Sequence, residues 1–371
     1  MPAPLRWTAM PWCESYSEVI DGRSPSEYAD DHLPGAINLP VLTDAQRAEV
    51  GTLHQQVSGF EARKRGAAYV AANIATHLHD HFATKPADYH PLIYCWRGGM
   101  RSHSFGLVLQ QIGWSVTLIE GGYKTYRAHV RDQLTTLPTR FQFRILCGLT
   151  GCGKTKLLHH LAQSDPQAQV LDLEAIAHHH GSLLGREPHH PQPSQKRFDS
   201  ILHHTLSHFD PAQPVWVEAE SHKIGTVYLP PALWHQMQQG TCIELYAPLT
   251  ARVDFLLATY PHLTQQPDFL KTQLARLKRR YGRDKITQWN QWIDAAQWPA
   301  LIADLLITHY DPSYVTSMAR HFPPQAHRIT LTDLSTGALQ AAARQLGDRM
   351  EGRSQTPQES RDTTQSIKTP T

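Results

Sequence analysis

An α/β fold in two consecutive domains, each built on a mainly parallel sheet, is what the sequence predicts, and three observations carry it. The 371 residues exceed what a single domain of about 100–200 residues usually holds. Short apolar runs alternate with helix-compatible stretches along most of the chain, the rhythm of strand–helix–strand units. Two of those runs end directly in glycine-bearing turns that hand over to a helix: Cys95-Trp-Arg-Gly-Gly-Met-Arg101 and Gly148-Leu-Thr-Gly-Cys-Gly-Lys154-Thr155.

The first domain is expected over residues 1–137. A short strand ends at Asp21, a polar helical segment follows, and a turn at Pro34-Gly35 leads into an apolar run. Residues 47–82 are helical in character, with few breakers after Gly66. The compact apolar run 91–95 stops at a thiol, a helix is expected over 102–112, and a strand over 115–120 ends at Gly121-Gly122. Residues 135–138 read as a linker. The second domain, 138–346, opens with a strand over 141–147, the second turn and a helix over 155–162. Strands at 170–173, 214–218 and 241–247 then alternate with helices, which argues a second, largely parallel sheet. From 347 to 371 the chain turns to Ser, Thr, Gln, Pro and charge without aromatics and is expected to be a disordered tail.

Composition narrows the function classes. A hydrophobic share of 40% and a charged share of 18% fit a globular chain, and no apolar run approaches the roughly 20 residues that span a bilayer. The N-terminal stretch lacks the apolar core of a secretory signal, so the cytoplasm is the expected location. Five cysteines without framework spacing fit reduced thiols. The formal charge of +2 gives no argument for nucleic-acid binding, and 24 histidines add positive charge only where they protonate.

Cys95 ends a strand, with glycines and then a helix behind it. That position aims its sulfur at backbone N–H groups and the positive helix end, and Arg97 and Arg101 add charge that favours a thiolate, a nucleophile. Gly98 and Gly99 allow the concave turn that a Cβ would obstruct. The competing reading is a buried apolar cysteine closing a strand.

The second turn is a complete P-loop. Amides of Gly148, Thr150, Gly151 and Gly153 converge on phosphate oxygens, Lys154 reaches the terminal phosphate, and the Thr155 hydroxyl can ligate Mg²⁺. The motif leaves open whether the phosphate belongs to a nucleotide or to another diphosphate. Asp172 and Glu218 each follow an apolar run and are the candidate Walker B-like carboxylates, with strand-end capping as the alternative for both. The pairs His189-His190 and His203-His204 lack the i,i+4 spacing of a helical metal site, so no protein metal centre is expected from them. Arg276, Lys278, Arg279, Arg280, Arg283 and Lys285 form the densest basic stretch, either a set of cations for an RNA backbone or a solvated face. Trp289, Trp292 and Trp298 follow at helical spacing and read as core.

The first region resembles a rhodanese domain: Val19-Ile-Asp21-Gly-Arg23 through Glu27-Tyr28, then His32-Leu-Pro34-Gly35-Ala36-Ile37-Asn38, then the Cys95 loop. It departs at Gly22, where an apolar residue is usual, and in the Cys-x5-Arg interval, one residue longer than the usual sulfur-transferring loop. The longer loop is similar to that of the phosphatase relatives of the fold, which implies room for a tetrahedral phosphate-like group. The whole of about residues 15–335 resembles the tRNA 2-selenouridine synthase family. The marks are Tyr94–Ser102 as a block, Ile119-Glu120-Gly121-Gly122-Tyr123-Lys124, the P-loop, Asp172-Leu-Glu174, Gly181-Ser182-Leu-Leu-Gly185, Glu218-Ala-Glu220-Ser221 with Ile224-Gly225, and Tyr310-Asp311-Pro312-Ser-Tyr314. His178-His-His180 departs from that pattern, where arginine is expected.

The resemblance implies an N-terminal rhodanese-like domain followed by a P-loop NTPase-like α/β domain. It also implies a tRNA with 2-thiouridine at the wobble position as partner, and geranyl diphosphate and selenophosphate as co-substrates. Sulfur would first be geranylated, then replaced by selenium. Lys154, Thr155 and the loop amides would hold the geranyl diphosphate; Cys95, Arg97, Gly98, Gly99 and Arg101 would serve selenium delivery. Two other readings stay open on the residues: a P-loop kinase fused to a rhodanese-like regulator, and a cysteine-dependent phosphatase, for which no general acid is evident beside Cys95.

Overall fold

The computed structural model describes residues 4–181, 185 and 190–350, the side chains of 262, 263 and 348–350 excepted. Five strands form the first sheet: β1 (Arg6–Thr8), β2 (Glu18–Asp21), β3 (Ile37–Asn38), β4 (Pro91–Tyr94) and β5 (Thr117–Ile119). Their order is β1-β5-β4-β2-β3, and every pairing is parallel. All four residues of β4 are buried, as a strand in mid-sheet with both faces covered requires. Helices α1 (Pro25–Asp30), α2 (Asp44–Gln56), α3 (Gly59–Asp80) and α4 (Met100–Ile112) connect these strands, and α5 (Tyr123–Thr136) leads out of them. Their starts are encoded locally: Ser24 and Glu27 form a capping box on α1, which has proline at its first position, and Thr43 and Ser58 cap α2 and α3.

The second sheet holds β6 (Phe143–Cys147), β7 (Gln169–Leu171), β8 (Val215–Glu218), β11 (Thr241–Tyr246) and β12 (His327–Thr330), with a small hairpin of β9 (Lys223–Ile224) and β10 (Val227–Tyr228) beside it. Its order is β12-β11-β6-β8-β7, again parallel throughout. Helices α6 (Lys154–Ser164), α7 (Leu173–Ala177), α8 (Gln195–Ser207) and α9 (Pro231–Gln238) alternate with its strands. Between β11 and β12 stands a helical insertion: α10 (Leu249–Thr259), α11 (Pro261–Gln265), α12 (Pro267–Ala275), α13 (Lys278–Asp294), α14 (Trp298–Leu305), a π turn at Leu306–Tyr310, and α15 (Asp311–His321). The insertion has its own core around Leu274, Trp289, Leu301 and Leu305, with Trp292 and Trp298 partly buried against it. The last helix, α16 (Thr336–Met350), packs Leu339, Ala343 and Leu346 on Leu157 and Leu161 of α6.

The α/β class and the parallel sheets agree with expectation, and several boundaries move for visible reasons. The run expected as a strand to 173 stops at Leu171, because Asp172 accepts the Ala175 amide at 2.9 Å and turns the chain into α7. Residues 135–138 complete α5 and enter a 3₁₀ turn, Leu137–Arg140, rather than forming an exposed connection. Leu134, Leu137 and Phe141 belong to one buried cluster that extends from Leu33 and Tyr94 beside the first sheet to Val215 and Val217 in the second. The segment expected as a tail is helical to Met350; residues 351–371 lie outside the described ones, as do 182–184 of the Gly181–Gly185 mark and His189.

Candidate active site

The thiol loop is held from two sides. Gly98 sits at φ +63° against the β5–α5 turn, where a Cβ would stand 2.7 Å from the Ile119 carbonyl, and a Cβ on Gly122 would collide with the carbonyl of Cys95. The amides of Tyr123 and Lys124, opening α5, donate to the Cys95 and Trp96 carbonyls at 2.8 and 3.2 Å. The marks Arg-Gly-Gly and Glu-Gly-Gly-Tyr-Lys are thus two halves of one interlock. Cys95 is buried, with its sulfur 3.1 Å from the Ser102 hydroxyl on α4. Arg97 is exposed, and Gly99 is the N-terminal cap of α4. Arg101 donates to Glu27 at 2.8 Å, so part of the charge expected for an anion is already compensated. Burial alone would raise the Glu27 carboxyl, but Arg101, Ser24 and Arg47 hold it below the usual carboxylate range. Beneath the loop, Arg23 is fully buried, lies 4.0 Å over the Tyr123 ring and donates to both oxygens of Asp21, the nearer at 2.6 Å.

The P-loop joins central strand β6 to α6. Gly148, Gly151 and Gly153 all have positive φ, and a Cβ on Gly151 would stand 2.8 Å from Leu256. Lys154 donates to the Gly148 carbonyl at 3.0 Å, closing the loop on itself. Burial works against its charge, yet Cys152, Tyr314, Glu218 and Glu220 keep it above the usual lysine range. Two residues of the insertion fix the loop from outside. The Tyr314 hydroxyl accepts the Gly148 amide at 3.0 Å, and buried Arg252 donates to the Thr150 carbonyl at 2.8 Å while holding Asp311 through both terminal nitrogens, at 3.0 and 2.6 Å.

Beside Lys154 and Thr155, the carboxylates that converge are Glu174, Glu218 and Glu220, each offering an oxygen within 4.8 Å of the others. Asp172 is elsewhere employed, as the cap of α7 and as a 2.6 Å partner of His159. Glu218 has one buried oxygen without a hydrogen-bond partner. Burial, then repulsion from Glu174, push its carboxyl up to about 8, and Glu220 is raised well above the usual range by burial and both neighbours. His180 meets Glu174 at 2.9 Å. Three hard oxygen donors, one of them an orphaned buried atom, next to a P-loop threonine suit a divalent cation of the Mg²⁺ type. Glu174 and Glu220 join Glu218 here without being among the expected Walker B-like carboxylates; their signal in the sequence is an acidic residue two positions past Asp172 and past Glu218.

A cavity of about 880 Å³ includes these carboxylates in its lining. Lys154, Thr155, Glu218 and Glu220 line it together with Leu256, Leu270, Trp298, Leu301, Leu305 and Leu306 of the insertion. Small-molecule sites usually span about 300–1,000 Å³ and are mainly apolar with a few convergent polar groups. All five cysteines are free thiols, and among the described residues no helix is long and apolar enough to cross a membrane.

Comparison with known proteins agrees with this arrangement. Residues 8–129 match the model of the rhodanese-like domain, and residues 141–345 match that of the tRNA 2-selenouridine synthase AAA domain. Proteins named tRNA 2-selenouridine synthase are similar to most of the chain. That of Alcanivorax borkumensis is 30% identical over 81% of this chain and 90% of its own length, and that of Aeromonas salmonicida 30% over 90% and 95%. The relative from Nitrosomonas europaea is 36% identical over 65% of this chain, a match that spans 63% of that protein. With both domain models matched in order and relatives covered nearly end to end, the chain belongs to the tRNA 2-selenouridine synthase family of tRNA-modifying enzymes.

Proposed function

We propose that the protein replaces the sulfur of a wobble 2-thiouridine in tRNA by selenium in two steps. In the first, the thiocarbonyl sulfur attacks C1 of geranyl diphosphate; the S–C1 bond forms, the C1–O bond breaks with its electron pair leaving on diphosphate, and the ring N3–H gives up its proton. In the second, the selenium of selenophosphate adds at C2, the S-geranyl group leaves as the thiol, and the selenium–phosphorus bond is cleaved to phosphate by water.

The observation that carries the reading is the mixed lining of one cavity. An allylic diphosphate has a polyanionic head and an apolar tail, and here P-loop residues line the same cavity as leucines and a tryptophan of the insertion. Leaving-group charge is stabilised by fixed donors waiting where it develops, and the loop amides and Lys154 are such donors. Glu218, Glu220 and Thr155 would hold a Mg²⁺ ion, whose contribution when bound is to neutralise the diphosphate. The apolar lining residues would exclude water from an allylic centre that would otherwise hydrolyse. Selenium delivery is assigned to the Cys95 loop, with Arg97, Gly98, Gly99 and Arg101 around it.

The test is nucleoside mass spectrometry on thiolated tRNA incubated with the protein, geranyl diphosphate and selenophosphate, omitting each in turn. Lys154→Ala is expected to stop S-geranyl product, and Cys95→Ala to abolish 2-selenouridine while sparing geranylation. Selenouridine made at the normal rate by Cys95→Ala, or undiminished geranylation by Lys154→Ala, overturns the corresponding assignment.

A further inference from the structure

Around the junction of α12 and α13, Arg276, Lys278, Arg279, Arg280 and Arg283 are all exposed. The insertion does pair cations where carboxylates are within reach, since Lys271 meets Asp294 and Lys285 meets Asp304. Arg276, Lys278, Arg279 and Arg283 have no such ion pair among the described residues, and Asp284 is the one carboxylate within 276–285. Like charges at this density repel one another, so an uncompensated cluster of this kind is complementary to a polyanion. Gly282 breaks α13 between Arg280 and Arg283 at φ +81°, a backbone conformation that favours glycine. Arg280 is exposed and also lines the cavity that contains Lys154, which locates the patch where that cavity reaches the surface.

We propose that this basic face docks the phosphate backbone of the tRNA and seats the target base over the cavity mouth beside Arg280. The inference rests on the proposed function in taking tRNA as the molecule that this cavity serves. Phosphate contacts position a nucleic acid and release counterions, so their number is read from the salt dependence of binding.

The experiment is a fluorescence-anisotropy titration of labelled tRNA with the full chain over a series of salt concentrations, without geranyl diphosphate or selenophosphate. The outcome is therefore independent of whether the proposed chemistry occurs. A triple variant, Arg276→Gln, Arg279→Gln and Arg283→Gln, is expected to bind at least tenfold more weakly, with its log–log salt slope reduced by about two to three. Replacing the same three by lysine should retain most of the affinity, and the triple glutamine variant should still bind inorganic pyrophosphate as the wild type does. A control that removes Lys64 and Arg65 on α3 should leave tRNA binding unchanged. Wild-type affinity and slope in the glutamine variant overturn the proposal, and so does an equal loss in the α3 control, which would make the effect one of diffuse charge.

Discussion

Glu218 ends β8 fully desolvated, one of its oxygens unpartnered, and with Glu174 and Glu220 close by. A free glutamic acid titrates near 4.3. In the folded chain burial and then Glu174 push Glu218 up to about 8. Between these values the folded state holds a proton that the unfolded state has lost, so stability falls as pH rises through the interval, by about 1.4 kcal/mol per unit for one such group. The melting temperature should therefore decline from pH 5 to pH 8, and Glu218→Gln should flatten that decline, leaving the part due to Glu220. A divalent cation favours the ionised carboxylates, so Mg²⁺ should raise the melting temperature more at pH 8 than at pH 5. Thermal scans of both proteins across this range decide the matter; a Glu218→Gln profile as steep as wild type would remove Glu218 from the account.

At the scale of elements, the P-loop is shaped by helices that lie far from it in sequence. Arg252 on α10 reaches the Thr150 carbonyl, Asp311 at the start of α15 pins the guanidinium, and Tyr314 on α15 accepts the Gly148 amide. Arg252→Ala should cost about 1–3 kcal/mol, since it strips a carbonyl and a carboxylate of their partner at once. It should also weaken inorganic pyrophosphate binding at least tenfold by calorimetry. In a double-mutant cycle Asp311→Ala should add little once Arg252 is gone, a coupling of about 1–3 kcal/mol; strictly additive losses would mean the two do not act as one clamp. The loop was legible in the sequence because its eight residues are contiguous and framed by a strand and a helix. The clamp was not, because Arg252 lies 102 residues from Thr150 and nothing local marks an arginine that will be buried. Glu174 and Glu220 were half legible: their segments stood out, but only the folded chain shows that α7 turns Glu174 inward while Asp172 is spent as a cap.

For the whole molecule, the two parallel sheets could be read from alternating apolar runs, whereas the way they join could not. The short β1, with two of its three residues exposed, is set by its pairing with β5, more than a hundred residues away. The junction itself is a polar seam around one buried carboxylate. Asp31 is fully buried and accepts from Tyr123 at 2.7 Å and from Ser200 at 2.8 Å, while Lys196 pairs with Asp30 at 2.6 Å and Arg197 donates to the His32 carbonyl at 3.2 Å. One apolar cluster runs through the same region, with Leu33, Tyr126, Leu137, Leu202 and Val217 in it. Halves that share a core should unfold together. Cys95 and Cys147, buried thiols in the first and second halves, report on each. In a denaturant series their labelling midpoints should coincide. Leu202→Ala, a fully buried truncation that costs about 2–5 kcal/mol, should shift both by the same amount although Leu202 belongs to α8. Two separate midpoints, with only that of Cys147 moved by the substitution, would show that the rhodanese-like half holds its structure without the shared core.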